Sequence, residues 1–272
     1  FKDMVCYQEE VRDPSRMAEV LNRVIEKAIR GSAPAQINIP RDYWTQVIDI
    51  EIPPIVRFEK QGGGKEAIEK AAKILSESKF PVILSGAGVV IGDAINECKS
   101  LAEKLDAPVC NGYQHNDSFP GSHPLAVGPL GYNGSKAAMQ LISKADVVLA
   151  LGTRLNPFST LPGYGIDYWP KNANIIQVDI NPDRIGLTKK VTVGIAGDAK
   201  QVAKQILDKL SSKAGDKGRE ERKNLIHQTK SSWLQTLTSL DHEDDDPGTV
   251  WNKEARERDK DRMSPRQAWR AI

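Results

Sequence analysis

The chain has 272 residues, 39% of them hydrophobic and 27% charged, with a formal net charge of +2. That length admits one large domain or two smaller ones with a sizeable core. The near-balanced charge gives no reason to expect nucleic acid or an anionic membrane as partner, and no apolar run approaches the roughly 20 residues of a membrane span.

Phe1 opens on the polar stretch "FKDMVCYQEEVRDPSR", which is not a secretory signal. Cys6, Cys98 and Cys110 have neither CxxC nor Cys/His metal spacing, so reduced thiols and a cytoplasmic location are expected. There is no initiator Met, and the final "MSPRQAWRAI" ends just as Ser264 and Pro265 begin a helix. The chain is therefore expected to be a piece of a longer polypeptide.

In chain order, "PSRMAEVLNRVIEKAIR" places Met17, Val20, Leu21, Val24, Ile25 and Ile29 on one face, an amphipathic helix that Gly31 ends. A short strand, "PAQINIP", follows, then a Pro- and Gly-rich extended connector. From Lys65 the pattern is regular. A helix over 66–76 leads to the strand "FPVILSGAG" (80–88), and a helix over 93–105 leads to "APVCNG". A glycine ladder, "HPLAVGPLGYNG", then precedes a helix over 135–143 and the strand "ADVVLALG". "ANIIQVDI", "VTVGIAGD" and the helix "AKQVAKQILDKLSS" close the set. Strands alternating with helices of about ten residues predict an α/β fold with a doubly wound parallel sheet. Beyond Ser212 the chain is highly charged, with one helix expected near 219–239. The expected division is 1–52, 53–64 (linker), 65–212 (central α/β domain), 213–262 (charged linker with a helix) and 263–272.

Candidate chemistry clusters at strand ends. "SGAG" leaves a strand ahead of a helix, where Gly86 and Gly88 suit a phosphate turn, although the glycines at 86, 88 and 92 do not complete GxGxxG. Tight strand-to-helix turning explains the same residues. Arg154 in "LGTRLNPF" has the forked donors for an anion, and Asp179 in "VDINPDRIG" is a carboxylate placed for a ribose hydroxyl. Asp198 is expected to cap the following helix. His115, His123, His227 and His242 lack metal spacing, and neither a GxSxG elbow nor a Cys/His pair suggests a nucleophile. The ladder glycines Gly128, Gly131 and Gly134 are either a phosphate cradle or packing geometry.

The stretch "DSFPGSHPLAVGPLGYNGSKAAMQLISKADVVLALGTR", followed by "NIIQVDINPDRIG" and "VTVGIAGDAKQV", resembles the central domain of thiamine-diphosphate enzymes of the acetolactate synthase type. "GSAPAQINIPRDYW" is similar to the end of that family's first, pyrimidine-binding domain, and "MSPRQAWRAI" to the start of its last, diphosphate-binding domain. Acetolactate synthases usually carry an Asp-rich run after the Arg that corresponds to Arg154. Here "TRLNPFSTLPGYGIDYWP" stands instead. That departure argues against acetolactate synthase and its flavin, while "FKDMVCYQEEVRDPSRMAEVLNRVIEKA", "PRDYWTQVIDIEIP" and this stretch resemble the family's acetyltransferase branch, which acts on sulfoacetaldehyde and phosphate.

For the complete protein the resemblance implies thiamine diphosphate and Mg2+ as cofactors, and a homodimer or homotetramer as the assembly. The implied products are acetyl phosphate and sulfite, with the fragment alone inactive. The family's activating Glu is expected upstream of Phe1 and its Gly-Asp-Gly…Asn motif downstream of Ile272. "GIAGDAK" is not that motif, because Ala199 follows Asp198. No catalytic residue and no metal ligand is therefore assigned. Gly86, Gly88, Arg154 and Asp179 stand as a central-domain crevice that is not the thiamine site. Alternatives left open are a carboligase or decarboxylase acting on 2-oxo acids, a stand-alone nucleotide-binding module, and a structural domain that aids subunit association.

Overall fold

The structure is a computed structural model that describes residues 1–54, 59–132 and 134–242. It divides into a first unit ending at Glu59 and a second beginning at Lys60, within the connector expected at 53–64. The segment 263–272, where a further domain is expected to start, lies outside the described residues.

In the first unit, strand β1 (Tyr7–Glu10), helix α1 (Met17–Gly31) and strand β2 (Ala35–Asn38) form one βαβ crossover, with β1 and β2 parallel and Tyr7 opposite Ala35. Asp13 accepts the Ser15 amide at 2.9 Å and so starts the turn into α1. Val20 and Val24 bury with Val11 against Tyr7, Ala35 and Ile37. The apolar face of α1 is wider than this two-stranded pair covers: Leu21, Ile25 and Ile29 are exposed.

The second unit carries six parallel strands: β3 (Pro81–Ser85), β4 (Val109–Asn111), β5 (Ala126–Pro129), β6 (Val147–Leu151), β7 (Asn174–Asp179) and β8 (Val193–Ala196). Their spatial order is β5-β4-β3-β6-β7-β8. The chain starts in the middle, builds outward to β5, then returns to β6 and builds the other way, the topology of a doubly wound sheet.

Helices cover both faces. Helices α2 (Lys65–Glu77), α4 (Ile95–Leu105) and α6 (Ala199–Lys209) lie on one side. There Ile68, Leu75, Leu101, Val202 and Ile206 meet Ile83, Leu149 and Ile176. Helices α5 (Lys136–Ile142) and α7 (Arg219–His242) lie on the other, where Met139, Leu141 and Ile226 meet Val82, Leu84, Val148 and Ala150. Every residue of β3 and β6 is buried, as an apolar strand covered on both faces requires.

Local signals explain the helix ends. Ser135 accepts the Ala138 amide at the start of α5, and Asp198 accepts those of Lys200 and Gln201 at the start of α6, the cap expected of it. The helix expected in the charged stretch is α7. Arg222, 1% exposed, and buried Ile226 seat it on the sheet.

Two strands and one α-helix among the described residues were not foreseen. They are β1, β5, and a five-residue helix α3 (Ala87–Ile91) between β3 and α4.

Candidate functional site

The winding of the second unit reverses between β3 and β6. In open α/β sheets ligands bind outside the carboxyl ends of the strands at this position. Gly86 and Gly88 follow β3, and Gly152 to Arg154 follow β6, so three of the four candidate residues bracket the switch point. Asp179 ends β7, one strand further out.

The two loops at the switch point are fastened to each other. The Gly86 amide donates to the Leu151 carbonyl at 3.1 Å and the Gly88 amide to the Gly152 carbonyl at 2.8 Å. A Cβ on Gly88 would lie 2.7 Å from the Gly152 Cα, so glycine is required by the approach of two backbones. These two amides are therefore engaged within the protein. The helix they introduce, α3, has only five residues, too few to build a substantial dipole.

Arg154 is exposed and makes no hydrogen bond or ion pair with the described residues. Asp179, 6% exposed, accepts the Asn181 amide at 2.9 Å, and its backbone carbonyl accepts the Gly197 amide. No ion pair joins Arg154 to Asp179.

Residues outside the candidate set organise this edge. Gln177, 1% exposed in β7, donates to the carbonyls of Thr153 and Arg184, each at 3.2 Å, and accepts the Gly186 amide at 2.9 Å. One side chain thus ties the loops after β6 and β7. Ser85 and Ser118 are hydrogen-bonded at 2.7 Å, and Asn111 donates to Ser118 at 3.0 Å, fixing the ends of β3 and β4. The available signal was a polar residue inside an otherwise apolar strand, as in "VILS", "VCN" and "NIIQVD". Such buried groups persist only when they are hydrogen-bonded.

The ladder glycines serve packing. Gly131 has φ 101°, and a Cβ there would lie 2.4 Å from the Phe158 carbonyl oxygen. At Gly134 a Cβ would lie 2.4 Å from the Pro129 carbonyl oxygen. The ladder is the end of edge strand β5 and the turn into α5, pressed against neighbouring backbone.

Other chemistry is limited. His123 accepts the Leu125 amide on Nδ1 and faces Glu103 across 3.2 Å through Nε2. Burial pushes the Cys98 thiol up to about 12 and the Cys110 thiol upward as well, so neither is a thiolate nucleophile near neutral pH. Among the described residues no group of three or more His, Cys, Asp or Glu side chains could hold a metal ion. Asp198, in "GDA", caps α6 and pairs with Lys60 at 3.1 Å. The residues present therefore do not fit a magnesium-diphosphate cradle.

Comparison with known proteins places this geometry. The model of the family described as thiamine pyrophosphate enzyme, central domain, matches residues 68–206. The chain is 79% identical over 272 residues to a probable sulfoacetaldehyde acetyltransferase of Rhizobium meliloti (strain 1021), covering all of this chain and 46% of that protein. It is 74% identical, again over its whole length, to a sulfoacetaldehyde acetyltransferase of Roseovarius nubinhibens, covering 45% of that protein. The chain thus spans a little under half the length of these curated relatives. Among solved structures, benzoylformate decarboxylase from Polynucleobacter necessarius superposes with a TM-score of 0.63 at 20% identity, covering 79% of this chain and 40% of that one. The chain belongs to the thiamine pyrophosphate enzymes, and its six-stranded unit is their central domain.

Proposed function

We propose that this chain is the middle portion of a thiamine-diphosphate-dependent sulfoacetaldehyde acetyltransferase. The complete protein would convert sulfoacetaldehyde and phosphate to acetyl phosphate and sulfite, a step of taurine and sulfonate degradation in the cytoplasm. One observation carries this reading: the identity of 79% and 74% to relatives of that name runs through all 272 residues, not only through the central domain. The family's cofactor supplies the electron sink for such chemistry, and Mg2+ would accompany it, both held by residues outside this chain. The 272 residues alone would be inactive.

In this reading, 1–52 closes the pyrimidine-binding domain, 53–64 links it to the central domain at 65–212, and 213–262 leads to a diphosphate-binding domain that starts at 263–272. The assembly would be a homodimer or homotetramer.

The test uses the full-length protein with thiamine diphosphate, magnesium, sulfoacetaldehyde and phosphate, assaying sulfite and acetyl phosphate together, with pyruvate as competing substrate. Phosphate-dependent formation of both products is expected. Acetolactate from pyruvate without sulfite would move the protein to the carboligase branch.

A second reading concerns the crevice at Gly86, Gly88, Arg154 and Asp179, which we propose as a contact for a nucleotide-like anion. It is favoured by the exposed guanidinium of Arg154, without a partner among the described residues, beside the switch point. Gly86 and Gly88 would shape the floor, while Arg154 would meet the anion. Calorimetric titration with ADP is expected to show binding that Arg154→Met weakens at least tenfold; no heat in either protein would remove this reading.

A further inference from the structure

Away from the switch point, a groove of about 800 Å³ runs between α7 and the β5 edge of the sheet. Its walls are apolar: Leu125 and Val127 on one side, and Ile226, Trp233, Leu234 and Leu237 on the other. The four α7 residues, with Lys230 among them, repeat at helical spacing and form one stripe. From Ile226 to Leu237 that stripe runs ~17 Å at 1.5 Å per residue.

Of the Lys, Asp and Glu side chains that line the groove, one is unmatched. Asp106 pairs with Arg219 at 2.6 Å and Lys223 at 3.9 Å, and Glu103 pairs with Lys99 at 3.8 Å and lies 3.2 Å from His123. Lys230 is half-buried and donates to the Pro124 carbonyl at 2.7 Å, with the His123 carbonyl at 3.5 Å. Among the described residues it has no carboxylate within ion-pair distance. Burial lowers its pKa, the response of a cation whose hydration has been removed without a compensating charge.

We propose that this groove binds a medium- or long-chain monocarboxylate, with its hydrocarbon chain along the α7 stripe and its carboxylate at Lys230 Nζ. The single unmatched cation selects a single anionic head. The apolar stretch along Leu125, Val127, Ile226, Leu234 and Leu237 selects a chain without further polar groups. Along Leu125, Val127, Ile226, Leu234 and Leu237 a peptide would bring an N–H and a C=O per residue against side chains that cannot satisfy them.

The test titrates the full-length protein with octanoate, decanoate and dodecanoate, below micelle-forming concentrations, by calorimetry and by tryptophan fluorescence. Saturable one-to-one binding is expected. It should tighten about fourfold per added methylene, the fold-change implied by ~0.8 kcal/mol per buried CH2. Lys230→Met should weaken dodecanoate at least tenfold while leaving dodecanol unchanged, and Lys230→Arg should retain binding. Leu234→Asp, at a side chain already 58% exposed, should abolish it and remains decisive if Lys230→Met does not fold. The proposal is overturned if dodecanoate binds the Met variant equally well, if dodecyltrimethylammonium binds as tightly as dodecanoate, or if no saturable binding occurs.

Discussion

Replacing Arg222 by Met tests how α7 is held to the central domain. The guanidinium is 1% exposed and all its donors reach backbone carbonyls. Nε donates to Asp106 at 2.9 Å, Nη1 to Lys79 at 2.5 Å and Lys217 at 2.9 Å, and Nη2 to Leu105 at 2.9 Å and Gly215 at 2.6 Å. Hydrogen bonds from a charged donor contribute ~1.5–3 kcal/mol each, so the set contributes roughly 8–15 kcal/mol before costs. Burying the guanidinium opposes this by several kcal/mol. Arg222→Met removes the charge and leaves its carbonyl partners without a donor, and since a buried acceptor left unpaired costs about 1–3 kcal/mol, a net loss of about 3–5 kcal/mol is expected. In a unit of this size that lowers the melting temperature by roughly 6–20 °C. Urea and thermal unfolding, with hydrogen exchange followed over 219–238, would measure it; exchange in α7 should accelerate most. A loss below about 1 kcal/mol would refute the reasoning, because desolvation would then cancel the five bonds. Arg222→Lys should recover only a minor part, since one ammonium cannot span carbonyls on both sides of the fork.

Further outcomes can be checked on the same protein. Gly131→Ala, with φ 101° and a carbonyl oxygen 2.4 Å from the new methyl, should destabilise by about 2–4 kcal/mol in thermal melts. Gly165→Ala, with φ 71° but nothing within 4 Å, should cost only about 1–2 kcal/mol. Hydrogen bonds from Arg23, then from Tyr7, hold the Glu9 carboxyl down to about 2 from an ordinary 4.5. Its contribution is therefore complete above about pH 4.5 and is lost as pH falls toward 2. Glu9→Gln should flatten that acid limb in the first unit, as followed by NMR of its amides. Thiol titration of the native protein near pH 8 should count one fast group, the exposed Cys6, and three after denaturation; fast reaction of Cys98 or Cys110 would contradict their burial.

Long periodic segments were legible in the sequence, because burial on one or both faces writes a pattern into them. Helix α2 was expected over 66–76 and spans Lys65–Glu77, and the strands "VILS" and "VVLAL" lie where continuous apolar runs put them. Short elements were not legible. Strand β5 contains Gly128 and Pro129 and owes its pairing to β4 rather than to its own propensity. Helix α3, five residues between Gly86 and Gly92, has no room to display a period. Strand β1 alternates half-buried and exposed residues, and its charged Glu9 is matched by Arg23 from α1, a partner 14 positions away. At the candidate site the placing of Gly86 just after β3, Arg154 just after β6 and Asp179 at the end of β7 followed from pattern, whereas Gly88, expected in a strand over 80–88, lies in α3 because β3 ends at Ser85. The role of Gln177 did not follow from pattern, because its three partners lie on loops that only the folded sheet brings together.

The outermost strands have a consequence for how this protein behaves when crowded. β5 and β8, at the two borders of the sheet, have four residues each, against five or six in β3, β6 and β7. Pro129 removes a donor from one border and Gly194 interrupts the side-chain surface of the other. Brief, interrupted borders give little template for a stray strand to add to. The long apolar strands that would seed fibrils are kept at the centre, where both flanks are already occupied.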